Sequence, residues 1–539
     1  MKIWFFLILT IFFIFENIFF ENIFSKIYVF FTVKNIAITA YYTFVTTMGF
    51  LAISSFLFIR KRVYYIMALS MLFLAYAIEL IYKNINTTGF TLNDLSIALN
   101  EGNAFAVDAL LTYASSIEKS AFILLLLFVV LFFIRQKIVK NNKFIALKYL
   151  LPFFLLSLGL AYSITFRTIG ETQTRPTLVK MLNMGIYYAS NRLYYGKREP
   201  LQEKPTAKAK YKNIILIVDE SIGGKYLSIN GYKKETTPYL KSIKDKFINL
   251  GLASSSANCS ASSNILLMSG MQLNQLPDKQ QRILTKPSIF QYAQNAGYRT
   301  HYISGQGVKK YLQNYMTEYD LESIDDFTQL DAPYKNKSMP EQKVIIDTKK
   351  ALNSAEKNFI FIVKHGSHFQ WEQSYPKSEK TFVPTLKSDD ALSLALKQEA
   401  LNSYANSLKY NVDLFFKDFL AYIDFFNRKD TLIIYTSDHG QSIVEEGRTS
   451  THCDSKNPPL TQGIVPLLLF TSSDDSLLNN FDFQINSYSH YQIFPTIKKF
   501  MGYGNLKAKT LLDEPDEQIF VSGDLFGRVS LERNKIDVK

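Results

Sequence analysis

Acidic residues and histidines follow three stretches of the chain that are predicted to be β-strands. The groups are Asp219 with Glu220 after residues 213–218, His365 with His368 after residues 359–363, and Asp438 with His439 after residues 431–435. Carboxylate oxygens and imidazole nitrogens are ligands that zinc and similar divalent metals take in catalytic sites. One such group alone is more typical of a capped turn, but three together favour a metal site.

A serine-rich stretch supplies the candidate nucleophiles. Residues 257–264 read Ala-Asn-Cys-Ser-Ala-Ser-Ser-Asn and precede the apolar run 265–268, which predicts a loop that leads into a helix. A hydroxyl or thiol there would lie beside the exposed N–H groups of the helix terminus, where phosphate binds favourably. The stretch also suits an ordinary N-cap in a serine-rich loop, so the residues alone leave both interpretations open.

These residues belong to a predicted α/β domain that begins at Asn213. Short β-branched runs alternate with helical stretches, which is typical of helices packed on a mostly parallel sheet. The predicted strands cover residues 213–218, 300–303, 359–363, 431–435 and 464–470. The predicted helices cover residues 238–246, 288–296, 343–355, 395–426 and 490–500. Ligands bind beyond the carboxyl ends of the strands in such sheets, so the acids and histidines should meet at one edge.

The composition indicates a folded protein with more than one domain. The chain has 539 residues, of which 47% are hydrophobic and 15% aromatic, and this excludes a disordered or low-complexity protein. The net charge of +13 is divided almost evenly between the first third of the chain and the rest. A single basic stripe for nucleic acid is therefore excluded, and we expect no nucleic-acid partner.

The first third of the chain contains five runs that are long and apolar enough to be membrane spans. They cover residues 4–31, 36–59, 63–82, 121–134 and 150–166. Glu16 and Glu21 interrupt the first run. Because four more spans follow it, we expect the first run to stay in the protein and not to be a cleaved signal peptide.

The charges of the short loops predict the orientation in the membrane. Lys and Arg are concentrated in residues 60–62 and 135–148, which should be cytoplasmic. The loop at residues 83–119 instead carries Asp94, Glu101, Asp108 and Glu118, which suits the outer side. The chain after residue 166 should then lie outside, in the periplasm of a cell with two membranes. We expect a transmembrane domain over 1–167, an interfacial linker over 168–212 and a catalytic domain over 213–539. A helix at residues 178–195 suits either the membrane interface or the underside of the soluble domain.

Several motifs resemble those of the membrane-bound phosphoethanolamine transferases of the alkaline phosphatase and sulfatase superfamily. They are residues 215–221 (Ile-Leu-Ile-Val-Asp-Glu-Ser), 227–232, 236–238, 366–368 (Gly-Ser-His), 375–376 and 435–440 (Tyr-Thr-Ser-Asp-His-Gly), with His452, Ser489, His490, Phe494 and Thr496. Their order covers nearly the whole soluble domain, and five membrane spans before it also suit that family. The resemblance implies an α-helical membrane domain followed by an α/β domain of the alkaline phosphatase and sulfatase type.

The resemblance also implies roles for site residues. Glu220, Asp438 and His439 would bind zinc together with the nucleophile, as one or two zinc ions or another divalent metal. His368 and His452 would act on the phosphate or the leaving group, or bind a second metal. The nucleophile of the family is a threonine, and the alignment puts Ser260 in its place. The alternatives are Ser262 and Cys259, because Cys259-Ser260-Ala261 is similar to the start of the sulfatase motif whose cysteine becomes formylglycine.

The implied reaction transfers phosphoethanolamine from phosphatidylethanolamine to lipid A or another envelope glycan. It would pass through a covalent intermediate on the serine, in an enzyme of the inner membrane whose catalytic domain lies in the periplasm. A sulfatase or phosphodiesterase-type hydrolase and a glycerolphosphate transferase are the alternatives on the same scaffold.

The other candidates are two cysteines and three histidines. Cys259 and Cys453 are the two cysteines of the chain, and each adjoins a candidate site residue. They could form a disulfide if Ser260 and His452 meet at one site, or they could stay reduced, and the sequence leaves both states open. His490 suits a cap or a ligand, whereas His301 and His365 are left outside the predicted site.

Overall fold

The computed structural model describes residues 2–20, 22–29, 31–32, 36–59, 61–85, 89–92, 94–95, 99, 114–140, 159, 175–191, 193–308, 312–330, 339–387, 390, 392–472, 478, 480–528 and 530–537. These residues form two compact units. One consists of the helices up to Ser190, and the other begins at Leu193.

The first unit is α-helical. Its helices are α1 (Lys2–Phe19), α2 (Ile23–Val29), α3 (Ile36–Ser55), α4 (Arg62–Ile85), α5 (Ala114–Lys140) and α6 (Thr177–Ser190). Among the described residues, three stretches are long and apolar enough to cross a bilayer: Ile36–Phe58, Arg62–Asn84 and Ile117–Lys137. The predictions for 36–59, 63–82 and 121–134 are therefore confirmed as apolar helices of membrane-spanning length.

The remaining two predicted spans have different outcomes. The first run is divided into α1 and α2, which are bent by 73° relative to each other and make a fourth span if they cross together. The predicted span at 150–166 lies outside the described residues, apart from Gly159. The count of five spans thus stays a prediction.

A buried ion pair and a buried hydrogen bond connect α6 to other helices of this unit. Lys180 Nζ lies 2.6 Å from Glu79 Oε1, and both side chains are almost completely buried. The Thr177 N–H donates to Glu16 Oε1 at 2.7 Å. A charge in an apolar helix bundle is tolerated when it is paired and hydrogen-bonded, and these contacts explain how Glu16 fits within an apolar helix. The helix predicted at 178–195 is thus α6, and its Lys180 faces α4.

The second unit is built on one mostly parallel sheet. Its strands are β1 (Asn213–Asp219), β2 (Ile248–Ser254), β3 (Arg299–Val308), β4 (Asp326–Leu330), β5 (Asn358–Val363), β6 (Thr431–Ser437) and β7 (Ile464–Thr471). Within the described residues these seven strands have the order β2-β7-β6-β1-β5-β3-β4. The five from β6 to β4 are parallel, whereas β7 pairs antiparallel with both β6 and β2 at one side.

Short helices and a small second sheet complete the unit. The helices are α7 (Pro238–Ser242), α8 (Ser260–Ser269), α9 (Ile289–Asn295), α10 (Glu318–Leu321), α11 (Met339–Leu352), α12 (Lys397–Leu408), α13 (Phe415–Tyr422) and α14 (Ile493–Phe500). A π-helix, Lys409–Leu414, joins α12 to α13. Strands β8 (Ile519–Gly523) and β9 (Leu531–Lys535) form an antiparallel pair.

Apolar cores lie on both faces of the large sheet, and this explains why its central strands are rich in Ile and Val. Ile214, Leu216 and Val218 of β1 belong to one core, whereas Ile215 and Ile217 belong to the other. Alternate side chains of a strand point to opposite faces, so a strand buried on both faces must be apolar throughout. The strand β1 lies between β5 and β6, which brings the ends of these three strands together.

Candidate active site at the strand ends

Three of the predicted metal ligands meet beyond the carboxyl ends of β1 and β6. Glu220, Asp438 and His439 each offer one ligand atom, and these atoms all lie within 4.8 Å of one another. His439 Nε2 lies 3.3 Å from Glu220 Oε1 and 3.6 Å from Asp438 Oδ2. The pairing of Asp219 with Ser437 at the ends of β1 and β6 sets this arrangement, because the next residues of both strands are then neighbours.

The hydroxyl of Ser260 lies at the same cluster. Ser260 Oγ is 3.2 Å from Glu220 Oε2 and 3.2 Å from His439 Nε2. Ser260 is the first residue of α8, a ten-residue helix whose N-terminus provides N–H groups and the positive end of the helix dipole. The structure therefore places a hydroxyl, carboxylate and imidazole groups and the N-terminus of a helix at one point.

The two alternative nucleophiles are placed differently. Ser262 lies two residues after Ser260 on α8 and is buried. The hydroxyl oxygen of its neighbour Ser263 lies 3.3 Å from His490 Nδ1. Cys259 forms a disulfide with Cys453, with the Cα atoms 4.7 Å apart. A disulfide sulfur is no longer a thiol, and the formylglycine alternative needs a free thiol. The sequence had left the state of the two cysteines open, and the fold pairs them.

His368 and His452 complete a group of three neighbouring imidazoles. The ring of His452 stacks on that of His439 with 4.3 Å between centroids, and its centroid lies 5.7 Å from that of His368. His439 Nδ1–H donates to the Gly440 carbonyl at 2.8 Å, and His368 Nδ1–H donates to the Phe369 carbonyl at 2.6 Å. These bonds occupy Nδ1 of both rings, which leaves Nε2 as the nitrogen that could bind a metal or a phosphoryl oxygen.

The electrostatics of the cluster favour positive charge at its centre. Burial alone would raise the pKa of Glu220, but hydrogen bonding and the charge of His439 hold it well below its usual value. Burial and the negative charge of Glu220 raise the pKa of Asp438 well above its usual value. Burial would lower the pKa of His439, yet Asp438 and Glu220 raise it to about 9. Two buried carboxylates that stabilise a proton on a neighbouring imidazole would stabilise a divalent cation similarly.

The pKa of His452 is shifted in the opposite direction from that of His439. Burial lowers its pKa well below the usual value, and electrostatic interaction with the imidazoles of His439 and His368 lowers it further. His452 is therefore neutral near pH 7.

A divalent metal fits this donor set. Asp438 Oδ2 is buried and has no hydrogen-bond partner within the described part of the chain. A buried carboxylate oxygen without a partner is destabilising. Oxygen atoms of Glu220, Asp438 and Ser260, with one imidazole nitrogen of His439, would offer zinc four ligands of the types that it accepts.

Two of the other histidines lie outside the cluster. His490 is buried, its Nε2 lies 2.8 Å from Thr436 Oγ1, and burial lowers its pKa to about 3, so it is neutral. His301 lies on β3 with its Nδ1 2.9 Å from Asp326 Oδ2, near the amino ends of the parallel strands. Neither of these contacts involves a residue of the cluster.

Two residues behind the cluster were not predicted from the sequence. Gln306, at the end of β3, donates through Nε2 to Glu220 Oε2 at 2.9 Å and to the Lys364 carbonyl at 2.8 Å. Lys364 directly follows β5 and is completely buried. Their positions after predicted strands were the available signal, but an amide and a lysine are not typical metal ligands.

Comparison with known proteins places this domain in a family. The sequence profile of the sulfatase family, described as "Sulfatase", matches residues 212–503. The chain belongs to the sulfatase family. This region includes the strands β1 to β7 and every residue of the cluster.

Curated relatives of this sulfatase-family chain are phosphoethanolamine transferases. The Kdo(2)-lipid A phosphoethanolamine 7''-transferase of Salmonella typhimurium is 26% identical over 291 residues, which are 53% of this chain and 47% of that protein. The phosphoethanolamine transferase EptA of Helicobacter pylori is 26% identical over 266 residues, which are 48% and 47% of the two chains. The chain spans about half the length of the curated relatives that it matches.

Solved structures share the fold of this sulfatase-family chain. The integral membrane protein lipooligosaccharide phosphoethanolamine transferase A from Neisseria meningitidis has a TM-score of 0.60 and 19% identity, over 89% of this chain and 92% of that chain. The periplasmic domain of the transferase EptC from Escherichia coli, in complex with Zn, has a TM-score of 0.51 and 18% identity, over 62% and 96% of the two chains. At these identities the likeness establishes the fold: helices first, then the α/β domain.

Proposed function

We propose that this protein transfers phosphoethanolamine from phosphatidylethanolamine to lipid A or another glycan of the cell envelope. The observation that carries the proposal is the position of the Ser260 hydroxyl, 3.2 Å from both Glu220 and His439 at the N-terminus of α8. The curated relatives support the transferred group, and the relative from Salmonella typhimurium is named for a lipid A acceptor.

In this proposal Glu220, Asp438 and His439 hold a zinc ion together with Ser260. The ion would lower the pKa of the Ser260 hydroxyl and withdraw negative charge from the phosphoryl oxygens. The N–H groups at the start of α8 would bind the same oxygens and stabilise the charge that develops on them. The number of zinc ions, one or two, is part of the proposal, as is the choice of zinc over another divalent metal.

The transfer takes place in two displacements at phosphorus. In the first, Ser260 Oγ forms a bond to phosphorus while the bond to the diacylglycerol oxygen breaks, and that oxygen takes a proton. In the second, a hydroxyl or phosphate oxygen of the acceptor attacks the phosphoserine, and Ser260 leaves. His452 and His368 are the proposed carriers of these protons, since the His452 ring stacks on that of His439 and the His368 ring lies next to that of His452.

The apolar helices give the catalytic unit access to a lipid donor. Because both units belong to one chain, the spans at residues 36–58, 62–84 and 117–137 would keep the catalytic unit on the membrane that contains phosphatidylethanolamine. We propose that this is the inner membrane and that the α/β unit is periplasmic. The proposed domains are the transmembrane part over 1–167, the linker over 168–212 and the catalytic domain over 213–539.

Acid-quenched mass analysis of the full chain in detergent tests the proposal. After incubation with zinc and phosphatidylethanolamine, peptide mapping of residues 254–268 should find phosphoethanolamine on Ser260. Ser260→Ala should lose the adduct and at least about 1000-fold in transfer, as expected for removal of a nucleophile, whereas the matched variant Ser262→Ala should keep both.

Other results of the same experiment identify the alternatives. An adduct on Ser262 would refute the assignment of Ser260. Free ethanolamine phosphate without a modified acceptor would indicate a hydrolase, and an adduct only from a glycerolphosphate donor would indicate a glycerolphosphate transferase.

A further inference from the structure

A buried lysine lies directly behind the candidate metal cluster. Lys364 Nζ is 2.7 Å from Asp219 Oδ2 and 3.6 Å from Glu341 Oε2, and its side chain is completely buried. Resting on the proposed function, we infer that Lys364 is a positioning residue for the reaction. It holds the end of β1 that carries Glu220 in register with the loop that carries His368.

The first connection runs through Asp219. Its Oδ2 accepts hydrogen bonds from Lys364 Nζ and from the Tyr435 hydroxyl, the latter at 2.9 Å. Its Oδ1 accepts the Glu220 N–H at 3.0 Å, and its carbonyl accepts the Asp438 N–H at 2.8 Å. The charge of Lys364 therefore fixes a side chain that orients the backbone of Glu220, while the backbone carbonyl of the same residue binds the N–H of Asp438.

The second connection runs through Glu341 to the loop after β5. Glu341 Oε1 accepts the Gly366 N–H at 3.0 Å, two residues before His368. Gly366 has φ of +60°, and a Cβ atom there would lie 2.5 Å from Asp219 Oδ1. The loop thus packs directly on Asp219, and Lys364 lies between the two carboxylates that hold its two sides.

The third connection uses the backbone of the lysine. The Lys364 carbonyl accepts a hydrogen bond from Gln306 Nε2, which also donates to Glu220 Oε2. One residue therefore contributes both its ammonium group and its carbonyl to the placement of Glu220. Groups that orient metal ligands in this way commonly change metal affinity or activity by about 10- to 100-fold when they are removed.

The helix that covers Lys364 is adapted to it. In a regular α-helix the Phe415 N–H would bond to the Asn411 carbonyl, but in this π-helix it bonds to the carbonyls of Tyr410 and Val412. The Asn411 carbonyl accepts a hydrogen bond from Lys364 Nζ at 2.5 Å, and the Phe415 ring centroid lies 3.8 Å from Nζ. A buried ammonium group needs hydrogen-bond acceptors or negatively polarised groups on several sides. The helix supplies two of them, the Asn411 carbonyl and the Phe415 ring.

The test compares the full chain with its Lys364→Met variant in detergent. We expect the variant to bind zinc at least about tenfold more weakly in a chelator competition and to lose at least about tenfold in kcat. The KM for phosphatidylethanolamine should stay unchanged, because Lys364 is buried away from the lipid. The matched control is Lys350→Met, the same change at a largely exposed lysine of α11, and it should leave both quantities unchanged.

A second variant decides the case in which Lys364→Met does not fold. Glu341→Gln keeps an oxygen for the Gly366 N–H and removes the charge that faces Lys364, so we expect a loss of a few-fold in kcat with the melting temperature preserved. A folded Lys364→Met protein with the zinc affinity and kcat of the parent would overturn the inference. If that variant is unfolded, an unchanged kcat in Glu341→Gln would overturn it.

The zinc measurement separates this inference from the proposed function. If the parent chain transfers no phosphoethanolamine, yet Lys364→Met weakens zinc binding as expected, the proposed reaction is wrong and the positioning role stands. If transfer occurs and is insensitive to Lys364, the proposed reaction stands and the positioning role is wrong.

Discussion

Removing the Cys259–Cys453 disulfide should lower the stability of the α/β unit by a calculable amount. The two cysteines are 194 positions apart, so the bond closes a long loop in the unfolded chain. The chain-entropy relation gives about 5 kcal/mol for a loop of this length as an upper limit. For a unit of roughly 350 residues the entropy of unfolding is about 0.7 kcal/mol per kelvin, so the melting temperature should fall by up to about 7 °C.

The folded site should survive the loss of this disulfide. The Cys453 N–H donates to the Asn258 carbonyl at 2.9 Å, and Asn258 Nδ2 donates to the Asp454 carbonyl at 2.9 Å. These bonds hold the strand-end loops of Ser260 and His452 together without the sulfurs. We therefore expect kcat well below the melting temperature to change by no more than a few-fold.

The assay is thermal unfolding of the full chain in detergent, with and without a phosphine reductant, beside the Cys259→Ala/Cys453→Ala variant. The chain contains two cysteines, so the reductant has no other disulfide to act on. The reduced parent and the double variant should melt at the same lowered temperature. A double variant that melts within about 1 °C of the oxidised parent would refute the loop-entropy reasoning, and a kcat reduced 100-fold would refute the role given to Asn258.

Three further predictions concern pH, metal and backbone. The pKa of His490 is lowered to about 3 in the folded protein, so the unfolded chain takes up this proton at a higher pH than the folded chain does. The free energy of unfolding should therefore fall with decreasing pH between about 6.5 and 3, by up to about 1.4 kcal/mol per pH unit. The variant His490→Gln should lack this contribution, and parallel curves of stability against pH for variant and parent would contradict the prediction. Asp438→Asn should weaken zinc binding at least about tenfold in a chelator competition. The metal-free variant should be at least as stable as the parent, because burial and Glu220 disfavour the charged form of Asp438 and raise its pKa. An unchanged zinc affinity would remove Asp438 from the set of ligands. Gly366→Ala should lower kcat at least about tenfold, because its Cβ would lie 2.5 Å from Asp219 Oδ1. The control Gly447→Ala should keep its activity, since Gly447 has a similar φ of +74° but open space around it. An equal loss of kcat in both variants would show that the backbone conformation alone matters.

Sequence patterns alone predicted the parts of this protein that depend on local periodicity. The strands β1, β5 and β6 are buried on both faces, so their sequences are continuous apolar runs that are easy to recognise. The three apolar spans are equally visible, because a bilayer requires about 20 apolar residues in a row. The strand β2 was missed because Gly251, at φ of +76°, lies where its pairing with β7 shifts register, which interrupts the pattern.

The same patterns placed candidate ligands after strands but did not show which of them meet. Whether Ser260 or Ser262 faces Glu220 depends on how α8 packs, and one residue along a helix turns a side chain by about 100°. The pairing of Cys259 with Cys453 was likewise left open by the sequence. It depends on the position of α8 beside the loop after β6, since no local preference joins residues 194 positions apart.

Lys364 shows most clearly what the tertiary structure decided. In the sequence it is a lysine after an apolar strand, where exposure to solvent is the usual expectation. It is buried because β5 pairs with β1 and brings it against Asp219, while a π-helix almost 50 residues away supplies the Asn411 carbonyl. Strand order and helix packing create that environment, and both follow from burying apolar faces that belong to distant parts of the chain.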